Sequence, residues 1–184
     1  MLLLASSSPR RREILSRAGY KFIVVPANAD EQVPPGMPPG EIVETLARRK
    51  AKAVAQGRPG DTILAADTIV VLDGTVLGKP RDPTEACAML ARLSGRVHTV
   101  YTGYCVRAGD RIQTGCESTE VEFYPLSDQE ILDYVNTGEP MDKAGAYGIQ
   151  GLGALLVRGI RGDFYNVMGL PIGAVHRILR DFLN

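Results

Sequence analysis

The segment Ser6-Ser7-Ser8-Pro9-Arg10-Arg11 joins a short apolar run to a helix start and has the residue types of an anion cradle. A helix N-terminus offers unpaired backbone N–H groups and a partial positive charge. Serine hydroxyls and two adjacent guanidinium forks would complete a phosphate site. The same residues also fit a serine-capped surface helix with solvated arginines. Asp67 is the more telling residue. It interrupts the apolar run Ile63–Leu72, where a carboxylate is costly unless it is paired or holds a cation. A general base or metal ligand is the functional reading, and a backbone-capping Asp the structural one.

On a strand period of two, Asp67 shares a face with Ala65 and Ile69, and Thr68 with Ala66 and Val70. If both faced one ligand, the strand would have to end or bulge there. Asp30-Glu31 follows in a loop, with Lys50 and Lys52 on the next helix. Paired acids near phosphate suit a hard cation such as Mg²⁺, but the bare pattern is common and a solvated loop is the simpler reading of it. Gly74-Thr75-Val76-Leu77-Gly78-Lys79-Pro80 imitates a phosphate-binding loop, but its glycine spacing is one short and Pro80 stands where Ser or Thr belongs. Lys79 retains the option of meeting phosphate as a point charge, or of being a solvated turn lysine. Near Gly148 and Gly151, Gln150 carries an acceptor and two donors, enough to read a nucleobase edge. That stretch is equally a long turn connection.

The elements that must position these groups follow from the pattern. Met1–Ala5 reads as a buried strand, Ser6–Ser8 as N-cap candidates, and Arg10–Ala18 as a helix stopped by Gly19. Tyr20–Val25 is a second strand, Asn28–Gly40 a loop, Glu41–Ala55 an amphipathic helix. Thr62–Leu72 is the strongest strand, turning at Asp73-Gly74 into Thr75–Leu77. Pro83–Leu93 is helix, and Val97–Val106 and Ile112–Tyr124 are long strands joined through Ala108-Gly109-Asp110. Ser127 with Glu130 forms a capping box for a helix to about Thr137. Ala154–Val157 is a further short strand, and Pro171–Phe182 the last helix. Strands both alternate with helices and pair as hairpins, which is the mark of a mixed α/β sheet.

Composition narrows the functions. With 184 residues, 45% hydrophobic and 23% charged, the chain fits a single domain able to bury a core. Lys and Arg number 21, as do Asp and Glu, so no net field recruits nucleic acid or an anionic membrane. The opening residues lack the charge order of a signal peptide, and three widely spaced cysteines suit a reducing compartment, so a cytoplasmic protein is expected. Two histidines cannot make a zinc set, and no G-x-S-x-G or G-x-G-x-x-G occurs.

Taken in order, Ala5–Arg11, Asp30-Glu31, Ala66-Asp67-Thr68, Leu77–Pro80, Ser94-Gly95, Gly138-Glu139-Pro140, Asp142–Gly151 and Tyr165–Pro171 resemble the Maf family of nucleoside triphosphate pyrophosphatases, also called septum-formation inhibitor proteins. The resemblance implies an inosine-triphosphatase-like, two-lobed α/β fold with a central cleft, over one domain spanning 1–184. It implies cleavage of a nucleoside triphosphate to monophosphate and pyrophosphate, with a divalent cation, Mg²⁺ or Mn²⁺. By analogy Asp67 is the proton acceptor, and Ser6, Ser8, Arg10, Arg11, Lys52 and Lys79 hold the triphosphate. Glu31 and Asp67 fall to the metal, while Arg10, Thr68 and Gln150 match positions that set specificity. Gln150 resembles the subgroup acting on dTTP and UTP, which also suggests a house-cleaning role against modified pyrimidine nucleotides. The alternatives are the same reaction on another base, such as 7-methyl-GTP, or a non-catalytic nucleotide-binding regulator of cell division. The apolar faces of helices 83–93 and 171–182 serve either the core or a homodimer contact.

Overall fold

The computed structural model describes residues 1–183, and among them lie seven strands and six α-helices. The strands are β1 (Leu2–Leu4), β2 (Ile23–Val24), β3 (Thr62–Leu72), β4 (Thr75–Leu77), β5 (Val97–Ala108), β6 (Arg111–Phe123) and β7 (Val157–Arg161). The helices are α1 (Pro9–Arg17), α2 (Pro39–Ala55), α3 (Pro83–Leu93), α4 (Asp128–Asn136), α5 (Phe164–Met168) and α6 (Ile172–Leu183). They make one sheet in the order β2-β1-β3-β5-β6-β7, with β4 paired to β3. The β1–β2 and β1–β3 pairs are parallel, while β3–β4 and β6–β7 are antiparallel. The fold class is therefore the expected mixed α/β sheet with flanking helices.

Two compact units share the chain. The first holds residues 1–68, 102–117 and 169–183, hence β1, β2, α1, α2, α6 and one stretch each of β3, β5 and β6. On one face of its sheet, Leu3, Ala5, Ile63, Ala65 and Cys105 pack with Ala47, Ala51 and Val54 of α2. The small residues let α2 come close: a Cβ on Gly103 of β5 would stand 2.3 Å from the Val43 carbonyl carbon. The second unit holds 69–101 and 118–168. Its core joins Val70, Leu72 and Phe123 to Leu90 and Leu93 of α3, Ile131 and Val135 of α4, and Tyr147.

Local signals act as expected at most boundaries. Ser8 caps α1 with Pro9 in the first turn, and Ser127 and Glu130 form both bonds of the capping box on α4. Asp73 and Gly74 both take positive φ, +49° and +74°, as a two-residue hairpin turn requires. Three differences stand out. The expected strand Tyr20–Val25 shrinks to Ile23–Val24, and α2 begins two residues early because Pro39 is well placed at a helix start. The strand expected at Ala154–Val157 is corrected: Gly151–Leu155 is a 3-10 turn, and β7 begins only at Val157. Gly151 takes φ +77° at its start, and the Leu156 N–H goes to the Gly153 carbonyl at 3.1 Å, a bond of the turn in place of a sheet ladder.

Candidate active site

In the first unit, the turn from β1 into α1 builds a tight polar knot. Ser6 Oγ accepts the Ser8 N–H at 3.1 Å and a bond from Arg11 Nη1 at 3.3 Å. Ser8 Oγ in turn accepts the Arg11 N–H at 3.5 Å. Arg11 also donates Nε to the Gly169 carbonyl at 2.7 Å and Nη2 to Thr68 Oγ1 at 3.0 Å. Among the described residues, three of the five guanidinium N–H groups thus fix the side chain, which leaves two over. Gly169 takes φ +108°, and a Cβ on it would sit 3.3 Å from Thr68 Oγ1, so the chain there suits glycine. Burial pushes the Arg11 pKa below its ordinary value, with Asp67 and Glu31 opposing that shift and Arg10 adding to it. Arg10, Glu31 and Asp67 are therefore all electrostatic neighbours of Arg11.

Asp67 and Thr68 sit within an unbroken β3, and alternation sends them to opposite faces. Thr68 serves Arg11 and lies 2.9 Å from Thr102 Oγ1. Asp67, on the face of Ile63 and Ala65, meets α2 through an ion pair with Lys50. Lys50 Nζ also reaches Glu31 Oε1 at 2.8 Å. One ammonium thus gathers the two carboxylates expected at a metal, with Asp67 only 13% exposed and Glu31 66%.

The resemblance points to Lys52 for phosphate and gives Lys50 no role; in the structure it is Lys50 that meets both carboxylates. Lys52 is exposed on α2, whereas Lys50 is only 15% exposed. The signal was available in the spacing. Lys50 lies four residues from Leu46 and Val54 and three from Ala47, on the buried stripe of α2. Two residues on, Lys52 projects from a different face.

Lys79 and Gln150 belong to the second unit. Lys79 is exposed just after β4, next to Gly78, whose carbonyl accepts the Gly145 N–H at 3.0 Å. Gln150 is half-buried, and its Oε1 is enclosed without a hydrogen-bond partner among the described residues.

Asp67 and Glu31 offer hard oxygen donors already collected around one positive charge. Two carboxylates fit Mg²⁺ or Mn²⁺, which take the rest of their coordination from phosphate and water. Among the described residues no group of three or more His, Cys, Asp or Glu is placed to cage a metal ion. No helix among them is long and apolar enough to cross a membrane.

The family model described as "Maf-like protein" matches residues 1–182. The chain belongs to the Maf family. Family relatives run along nearly its whole length. A dTTP/UTP pyrophosphatase of Symbiobacterium thermophilum is 54% identical over 181 residues, covering 98% of this chain and 93% of that one. One from Pyrococcus furiosus is 52% identical, covering 97% and 93%, and one from Bacillus velezensis 49%, covering 98% and 96%. Among solved structures, the Staphylococcus aureus Ham1 protein aligns with a TM-score of 0.48 and 14% identity over 66% of this chain and 71% of that one. A likeness that weak bears no weight here.

Proposed function

We propose that this Maf-family chain, as one nucleotide-pyrophosphatase domain, hydrolyses dTTP and UTP to the monophosphate and pyrophosphate, with Asp67 as the proton acceptor. The observation that carries the reading is the Asp67–Lys50–Glu31 arrangement: a nearly buried carboxylate, in a strand otherwise apolar, oriented by an ammonium that also holds a second acid. The relatives named dTTP/UTP pyrophosphatase support the substrate class.

Attack on a phosphate needs a base within hydrogen-bond reach of one water and positive charge along the triphosphate. Asp67 supplies the base. Arg10, the two remaining N–H groups of Arg11, the Ser6–Ser8 turn and the N-terminus of α1 supply the charge and donors, with Lys79 as a further phosphate ligand. Lys50 keeps Asp67 aimed, a role distinct from the triphosphate contact expected of Lys52. Glu31 and Asp67 would hold the divalent cation, which when bound neutralises phosphate charge. Gln150 reads the base, with Arg10 contributing to specificity; Thr68, on the opposite face of β3 from Asp67, contributes through Arg11, whose guanidinium it holds.

The test is pyrophosphate release from a panel of triphosphates with Mg²⁺ or Mn²⁺, wild type beside Asp67→Asn. Turnover of dTTP and UTP should fall by about 10²–10⁴-fold in the variant, the range of general-base catalysis. A wild type inert on every triphosphate would overturn the catalytic reading and favour a nucleotide-binding regulator. Preference for 7-methyl-GTP would retain the reaction and move the base.

A further inference from the structure

The chain around Gln150 is anchored on both sides by two side chains from α4 and the 3-10 turn after it, Tyr134 and Glu139. The Tyr134 hydroxyl accepts the Gly148 N–H at 3.2 Å and donates to Glu139 Oε1 at 2.9 Å. Glu139 Oε1 also accepts the Gly153 N–H at 3.1 Å, and Oε2 accepts the Leu152 N–H at 3.0 Å. The backbone is thus tied two residues before Gln150 and again two and three residues after it.

Glycines bring the ends of this short loop together. A Cβ on Gly153 would stand 2.1 Å from the Gly148 carbonyl oxygen, and one on Gly151 would stand 2.8 Å from Glu139 Oε2. Between the ties, Gln150 Oε1 is buried without a partner among the described residues. A buried acceptor left unpaired is unfavourable, so it favours a ligand that brings a donor. Uracil and thymine present an imide N–H between two carbonyls, while cytosine presents a bare ring nitrogen at the same place. An acceptor held at one position distinguishes them; one that wanders with a loose backbone distinguishes them less.

We infer that Tyr134 and Glu139 are positioning residues for base choice, clamping the Gly148–Gly153 loop so that the unpaired Gln150 Oε1 is held at one place against the base. The inference rests on Gln150 reading the base, as proposed above. The carboxylate suits this task. Burial alone would raise its pKa, but the two amides, the Tyr134 hydroxyl and Lys143 outweigh that and hold it below the ordinary value. It therefore stays an acceptor for both amides. The Tyr134 phenol shifts the other way, upward through burial, and so keeps the proton it donates.

The experiment compares kcat and KM for UTP and CTP in wild type, Gln150→Ala, Glu139→Gln, Tyr134→Phe and the double variant Gln150→Ala/Glu139→Gln. Gln150→Ala should cut the preference for UTP over CTP by at least about tenfold, since it removes the reading group. Glu139→Gln keeps the size but turns an NH₂ toward backbone donors. It should cut the same preference by about five- to tenfold, chiefly through KM, and should add nothing on top of Gln150→Ala. If both clamp variants slow UTP and CTP by one common factor, or if their effect adds in full to Gln150→Ala, the clamp is structural only and the inference falls. If Gln150→Ala leaves the preference intact, the base-reading role fails first and takes the clamp with it. Amide exchange keeps the test open should Glu139→Gln not fold. In Tyr134→Phe, which keeps the ring, the Gly148 amide should exchange at least about tenfold faster while β3 amides stay unchanged. An unchanged Gly148 amide overturns the clamp.

Discussion

Under the proposed reaction, the role of Asp67 turns on which lysine faces the carboxylates. Lys50 pairs with both Asp67 and Glu31, and Lys52 is exposed on another face of the same helix. Replacing Lys50 by Met preserves the buried stem and removes the charge that aims Asp67. A hydrogen bond to a charged group contributes about 1.5–3 kcal/mol, so kcat/KM should drop by about 10- to 100-fold. Lys52→Met should stay within about twofold, as exposed substitutions do. Steady-state kinetics on dTTP checks this: the reverse order of effects would support the phosphate contact expected of Lys52 and leave Lys50 a structural ion pair.

Helix α2 delivers Lys50 only because it lies close against the sheet. Gly103 on β5 makes that approach possible, since any side chain there would meet the Val43–Glu44 backbone at 2.3–2.5 Å. Backbone cannot swing aside as a rotamer can, so Gly103→Ala must move α2 itself. Overpacking of this kind costs about 1–3 kcal/mol, which urea denaturation would register. The variant should also lose activity in proportion to the displacement of Lys50 from Asp67. Full activity with lowered stability would show that α2 relaxes without shifting that pair.

For the molecule as a cooperative whole, the second unit carries an acid-sensitive point remote in sequence from any catalytic group. His98 is 2% exposed, lies against the Phe123 and Tyr147 rings, and shares a 2.7 Å hydrogen bond with the Tyr147 hydroxyl. Its Nδ1 has no partner among the described residues. Burial lowers its pKa from 6.5 to about 4. Between those values the unfolded chain binds a proton that the native chain does not, so stability is fully present above pH 6.5 and declines as pH falls toward 4. From pH 6.5 to 5 the loss should be roughly 2 kcal/mol. Urea unfolding at the two pH values in wild type and His98→Asn tests this. An equal loss in both proteins would assign the acid sensitivity elsewhere.

Much of this protein is written locally. The apolar run of β3, the Ser127–Glu130 capping box, the Asp73-Gly74 turn and the helix at Pro83–Leu93 follow from short-range periodicity and backbone sterics, and the structure places them as expected. The presence of Asp67 in an apolar run was likewise visible, because burying a charge needs a reason that no local rule supplies. The expected strand at 154–157 failed where the Leu156 N–H closed a 3-10 turn on the Gly153 carbonyl instead of joining a ladder. Long-range contacts decided the rest. Which face of α2 meets β3, and hence Lys50 over Lys52, depends on how small residues let a helix and a sheet approach. That Arg11 spends three donors on Ser6, Thr68 and Gly169 required elements as much as 158 residues apart to converge. The closing of the Gln150 loop by Tyr134 and Glu139 is of the same kind. Residue types and their spacing determine which chemistry is available. Packing determines which of the eligible side chains are desolvated, paired and aimed, because those properties belong to neighbours that the linear order does not bring together.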